Sequence, residues 1–479
     1  MRRIVWALIC LLALSGAAVA SARTMHRVRT YSTPLTRPLQ TALMDPNLFG
    51  FGDRTNAFAV TREAGATYVR VAVPWSSIAP ASPDPSFDAS DPDSPDYNWA
   101  SLDPVVENSE AAGLTPILDL EQPPKWAFSV PRKGVSGGTP NVSDLGKFAH
   151  ALAAHYDGSH GVPAAHVFQV WNEPNLSLDL SPVKPATYRA MVNAIASSVH
   201  RVDSANVVVA GELDPFENRT NSWHTMAPLA YMRALLCVSK GAHPHATCRT
   251  KIHFDVWSHH PYTFGGPFGK ARLADDVSLG DLPRMRALLD AGLRLHRVVS
   301  PRSVQFWVTE FAWDTNPPRR SAMKMGMQAR ATAEALHQMW LSGVSLVTWY
   351  LLQDEPGNNV NKSGLYFAGK PIATARAKPT LTAFRFPFVA YLHSGRVNVW
   401  GRDATSTKTT VTIERRTRIR GTWHVVARIV SNHRGIFAAN LRLAATTKDW
   451  LRAVAPGSGK SLAFSLTQPV YPHIGPWGT

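Results

Sequence analysis

Between about residues 42 and 391, short apolar runs alternate with longer stretches whose apolar positions recur every three to four residues. The runs ALMDPNLF, TYVRVAVPW, TPILDLEQ, HVFQVWNEP, VVVAGEL, FDVWSHHPY, QFWVTEFAW and VSLVTWYLL predict strands, the first of them weakly. Stretches such as VSDLGKFAHALAAHY, ATYRAMVNAIASSVHRV, LPRMRALLDAGLRLHR and MKMGMQARATAEALHQMWL predict amphipathic helices between them. Eight such units over about 350 residues fit an α/β fold, a (β/α)8 TIM barrel with insertions spanning 42–391. KPTLTAFRFPFVAY reads as its last helix. The pattern then changes to RVNVWGRD, KTTVTIERRTR, TWHVVARIV, GIFAANLRL, WLRAVAP and KSLAFSL, short alternating strands between Gly, Asn and Ser turns. They predict a small C-terminal β-sandwich over 395–468.

The N-terminus carries a different signal. Arg2 and Arg3, the run IVWALICLLAL and the small residues SGAAVASA predict an export peptide over 1–22, with the mature, secreted chain starting near Ser21 or Arg23. An uncleaved anchor fits less well, because the run is short for a bilayer. Export removes Cys10 and leaves Cys237 and Cys248 flanking VSKGAHPHAT, a spacing that predicts a disulfide closing a short loop. A metal site joining them with His243 and His245 is the rival, and it would need tighter ligand spacing.

Composition is ordinary for a folded chain, 45% hydrophobic and 18% charged over 479 residues. The net charge of +16 is uneven. From Arg396 onward thirteen Lys and Arg stand against Asp403, Glu414 and Asp449, an excess of ten positive charges. Such a module could hold an anionic glycan or cell-envelope surface, although a solvated arginine-rich surface accounts for it equally. Nucleic acid is not expected as a partner, since export removes it and no zinc-finger or RNP pattern is present. Fifteen Trp suit either a ring-stacking site or the core.

The strand ends carry the chemistry. The fourth run stops in Asn172, Glu173 and Pro174, and the seventh carries Glu310 near its end. Functional groups of such barrels sit at the C-terminal ends of the strands, and a carboxylate there is costly unless paired or used. Two carboxylates facing each other across a substrate suit glycosidic bond cleavage, one protonating the leaving oxygen and the other attacking or activating water. Arg70 at the second strand can keep one of them ionised. Alternation in WSHHPY puts His260 and Tyr262 on one face, with Tyr262 placed to donate to Glu310. Trp349 ends the eighth strand, where an indole could floor a sugar subsite, and Trp126, in the loop after the third, is a further substrate-binding candidate.

Arg70, WNEPN, HPY, VTEFAW and TWY, in that order, resemble the clan A retaining glycoside hydrolases. YNWASLDPVVENSEAAGLTPILDL is similar to the same region of families 39 and 5. The resemblance implies a barrel enzyme without a cofactor or metal, acting on an oligosaccharide or polysaccharide. By it, Asn172 binds the substrate 2-hydroxyl, Glu173 is acid/base and Glu310 nucleophile. Glu121 and Glu212 depart from the pattern and receive no role. A catalytically inactive carbohydrate-binding or scaffold protein on the same barrel would be expected to lack one of the paired carboxylates, and both are present. A metal-dependent hydrolase using SHHPY with His253 and Asp255 lacks an H-x-H on the first strand. The sugar, its linkage and endo or exo action are not legible in the loop compositions.

Overall fold

In a computed structural model, residues 28–478 are described apart from 34–36, 220, 221, 359 and 406. The expected export peptide over 1–22 lies outside the described residues. The barrel strands are β1 (Gln40–Met44), β2 (Tyr68–Pro74), β3 (Thr115–Glu121), β4 (Val167–Val170), β5 (Val207–Leu213), β6 (Val256–His259), β7 (Gln305–Phe311) and β8 (Leu346–Tyr350). They close in sequence order, with β8 pairing back to β1 in parallel. The ALMDPNLF run is only half a strand. Asp45 ends it, accepting from the Leu48 N–H at 3.0 Å, and Pro46 opens a short helix, Pro46–Gly50.

Alternation sorts the strand residues into layers. Ala42, Ile117, Val167, Val209, Val256, Trp307 and Leu346 form a dry cluster inside the barrel, with Tyr68 packed on it. Two residues further along the same faces stand Met44, Arg70, Asp119, Ser258 and Thr309, so polarity begins one layer above the apolar floor. At the strand ends the backbone turns sharply. Gln122, Trp171, Glu173, Glu212 and Leu351 have φ of 55°, 72°, 37°, 48° and 76°, a left-handed region that side chains occupy at a cost and that gathers at functional sites.

The outer helices follow the 3.6-residue pattern. In helix Val142–His155, Asn141 caps the N–H groups of Ser143 and Asp144, while Leu145, Phe148, Ala149 and Leu152 are buried at helical spacing. That helix packs closely along Pro185–Val202.

The C-terminal sheets correct two expectations. KPTLTAFRFPFVAY is not one helix: the helix is Pro379–Arg385, and Phe388–His393 is already a strand. Pro387 explains the break, because it disfavours helical backbone at Phe386, whose φ is −132°. The sandwich therefore begins before 395. Its three-stranded sheet comprises Phe388–His393, Arg396–Arg402 and Ile436–Leu441. Its larger sheet includes Arg29–Ser32, which pairs in parallel with His424–Val430. Arg402 is buried and docks the module on the barrel, donating to the Gly65 carbonyl at 3.2 Å. After Phe464–Ser465 the chain returns to the barrel, where the Pro476 carbonyl accepts from the Asp314 N–H at 2.7 Å.

Candidate active site

Arg70 is the hub of the barrel mouth. It is buried, and its interior position on β2 aims the guanidinium up the barrel. Nη1 donates to Glu310 Oε2 at 2.7 Å, and Nη2 donates to Asp119 Oδ2 at 2.6 Å and to Asn172 Oδ1 at 2.8 Å. The other Glu310 oxygen accepts from the Tyr262 hydroxyl at 2.8 Å. Glu173 Oε1 lies 2.9 Å from His260 Nδ1, whose Nε2 is 3.2 Å from Thr309 Oγ1.

These contacts set opposite proton affinities. Burial pushes Glu173 up to about 8, helped by the negative charge of Glu310 and opposed by Arg70. Burial would raise Glu310 as well, but its neighbours hold it below the usual carboxylate range. Burial also pulls His260 down to about 3, so at neutral pH it is an uncharged ring. The cationic Arg70 and the Tyr262 hydroxyl are therefore what keep Glu310 ionised. The result is one proton-holding and one ionised carboxyl in the same mouth.

Arg70, Asn172, Glu173, His260, Tyr262 and Glu310 thus come together at one mouth, in two hydrogen-bonded groups. Trp349 does not join them. On β8 the interior positions are Leu346, Thr348 and Tyr350, so Trp349 points outward. Its indole is 1% exposed, edge-on to Phe384 and Phe311, and its N–H donates to the Ser363 carbonyl at 2.8 Å. The half-buried Tyr350 takes the mouth-facing position. Trp126 packs with Trp75 and Phe87, and its indole N–H is used by the Pro80 carbonyl at 2.7 Å, so its contacts lie within the loop layer.

Glu121, raised to about 8 chiefly by burial and then by Asp119, lines a cavity of about 140 Å³ with Gln122, Arg132, Trp171, Asn172 and Asp179. Glu212 is fully buried, accepting from the Tyr188 hydroxyl at 2.8 Å and the Ser258 hydroxyl at 2.7 Å. Burial raises its pKa well above the ordinary range, and the Ser258 and Tyr188 hydroxyls oppose that shift beneath the mouth. Asp119 escaped the sequence reading, although TPILDLEQ places it two residues before Glu121 on the same face of β3.

Cys237 and Cys248 are joined, their Cα atoms 5.4 Å apart. Asp255 precedes β6 at the end of the barrel away from the mouth. It is engaged by Ser300 at 2.6 Å, His200 at 2.9 Å and the Val208 N–H at 2.9 Å, which accounts for it structurally.

Residues 35–270 match the family model described as Cellulase (glycosyl hydrolase family 5), a span that holds Arg70, Asn172, Glu173, His260 and Tyr262. None of the curated proteins compared with the chain matches it. Among solved structures, it is similar to a monomeric beta-xylosidase from Caulobacter crescentus CB15 (14% identity, 88% of this chain and 98% of that one, TM-score 0.52). It is also similar to a glucosidase from Croceicoccus marinus (13% identity, 89% and 98%, TM-score 0.51). A third is the GH39 enzyme from Xanthomonas axonopodis pv. citri (14% identity, 90% and 98%, TM-score 0.50). Its family match over 35–270, just under half of the chain, and its closed barrel make the chain similar to glycoside hydrolases of family 5.

Proposed function

We propose that the protein is a secreted retaining glycosidase that cleaves O-glycosidic bonds of a plant or microbial oligosaccharide or polysaccharide by double displacement. The observation that carries this reading is the asymmetry of the two carboxyls. Glu310 is held ionised by Arg70 and Tyr262, and Glu173 keeps its proton with a pKa of about 8.

In the first step a Glu310 oxygen bonds to the anomeric carbon while the glycosidic C–O bond breaks, and the departing oxygen takes the Glu173 proton. Esterification removes the Glu310 charge, which lowers the proton affinity of Glu173 and turns it into a base. Water then gives Glu173 a proton as its oxygen bonds to the anomeric carbon, and the ester breaks to free Glu310. In this reading Asn172 binds the substrate 2-hydroxyl, supported by the hydrogen bond that Arg70 gives its side chain. Secretion is supported by the N-terminal apolar run and by the Cys237–Cys248 pair, which suits an oxidising compartment. Activated 2-fluoro glycosides of several sugars, applied to the protein and followed by peptide mass spectrometry, test the scheme. Label on Glu310 is expected, and label elsewhere would refute the assignment.

A further inference from the structure

Residues 471–478 run along the active-site mouth. They are held by the loops that follow β6 and β7, the strands that bring in Tyr262 and Glu310. The Ile474 carbonyl accepts from the Gly265 N–H at 3.4 Å, and the Pro476 carbonyl accepts from the Asp314 N–H at 2.7 Å. The His473 ring stacks on Phe264 at 5.5 Å, and the Tyr471 hydroxyl donates to Glu334. Two glycines make the fit. A Cβ on Gly266 would come within 2.4 Å of the Tyr471 ring, and one on Gly478 within 2.6 Å of Arg319 Cδ. Both also have φ above +70°, so backbone and space call for glycine together.

This anchoring delivers Trp477. Its ring lies 4.8 Å from that of Tyr262, tilted by 54°, and 5.7 Å from that of Tyr350, at 70°. Tyr262 is the residue whose hydroxyl holds Glu310, and Tyr350 is the mouth-facing residue of β8. Trp477 is only half-buried, so a large apolar ring keeps open surface one side chain away from the reacting carboxylate. Across the mouth, at the ends of β3 and β4, a cavity lined by Glu121, Arg132, Asn172 and Asp179 offers polar groups suited to hydroxyls. An aromatic face for the C–H side of a sugar is what Trp477 adds.

We propose that the C-terminal tail is a working part of the active site, with Trp477 stacking on the sugar ring held at Glu310. The proposal deepens the glycosidase reading and rests on it. The experiment compares wild type, Trp477→Ala, Trp477→Leu, Trp477→Phe and Glu310→Ala on a panel of aryl glycosides. With Trp477→Ala, the loss should fall on KM, raised about tenfold, rather than on kcat. Trp477→Leu keeps apolar packing on Tyr262 without an aromatic face and should show the same rise, while Trp477→Phe should recover most of it. An unchanged KM in the Ala and Leu variants, with Glu310→Ala inactive, would overturn the tail's role alone. A lower KM would do so too, by showing that the indole obstructs the site. Full activity of Glu310→Ala would remove the glycosidase reading, and the proposal with it.

Discussion

Arg70 and Glu310, 240 positions apart, meet at 2.7 Å, and the same guanidinium holds Asp119 at 2.6 Å. Removing the cation would leave two buried carboxyls without a counter-charge. Arg70→Met is therefore expected to cost about 3 to 5 kcal/mol of stability, measured by denaturant unfolding. Activity should change in a defined direction. The acid limb of kcat/KM follows ionisation of Glu310, which lies below the usual range in the wild type. Without Arg70 that affinity rises, so activity is lost at a higher pH as pH falls. The alkaline limb follows loss of the Glu173 proton near pH 8.

Trp349 and Tyr350 are neighbours with opposite duties. Trp349→Ala should lower stability by about 3 to 5 kcal/mol, as expected for emptying a buried indole site, with little change in KM of whatever folds. Tyr350→Ala should raise KM with a smaller stability loss. Thermal melts combined with steady-state kinetics separate them, and a KM effect confined to Trp349 would contradict the register of β8.

Much of the barrel was legible because two periods, 2 and 3.6, write themselves into contiguous sequence. Glu173, Glu310, Arg70, His260 and Tyr262 could be placed because each lies at or near the end of such a run. Three features could not. Trp349 ends its run, but strand position alone does not fix which face of β8 turns inward, and a one-residue slip exchanges the faces. The Arg29–Ser32 strand joins a sheet formed some four hundred positions later, a pairing that no local pattern encodes. Trp477 sits in YPHIGPWGT, a segment without periodicity, and only tertiary contacts bring it beside Tyr262.

Secreted protein should begin near Ser21 or Arg23 by intact-mass analysis and weigh two hydrogens less than the reduced chain. Replacing both Cys237 and Cys248 by Ser should cost on the order of 2 to 3 kcal/mol for a loop of this size. Free thiols at both positions would contradict the disulfide.

The two carboxyls should fail in different ways. Glu310→Ala should lose turnover of every substrate, and added azide should restore it while giving a glycosyl azide of inverted configuration. Glu173→Ala should lose about 10² to 10⁴ in rate on substrates that need a protonated leaving group and much less on those with good leaving groups. Azide should rescue that variant with retained configuration. Chiral analysis of the azide products distinguishes the roles, and exchanged outcomes would reverse the assignment.

Double displacement through Glu310 dictates which anomer leaves first, and proton NMR of the first-formed sugar reads that anomer. The wild-type enzyme should release, before mutarotation, the same anomer that the substrate carried. Initial release of the opposite anomer would mean that water attacks the sugar directly, contradicting Glu310 as the nucleophile.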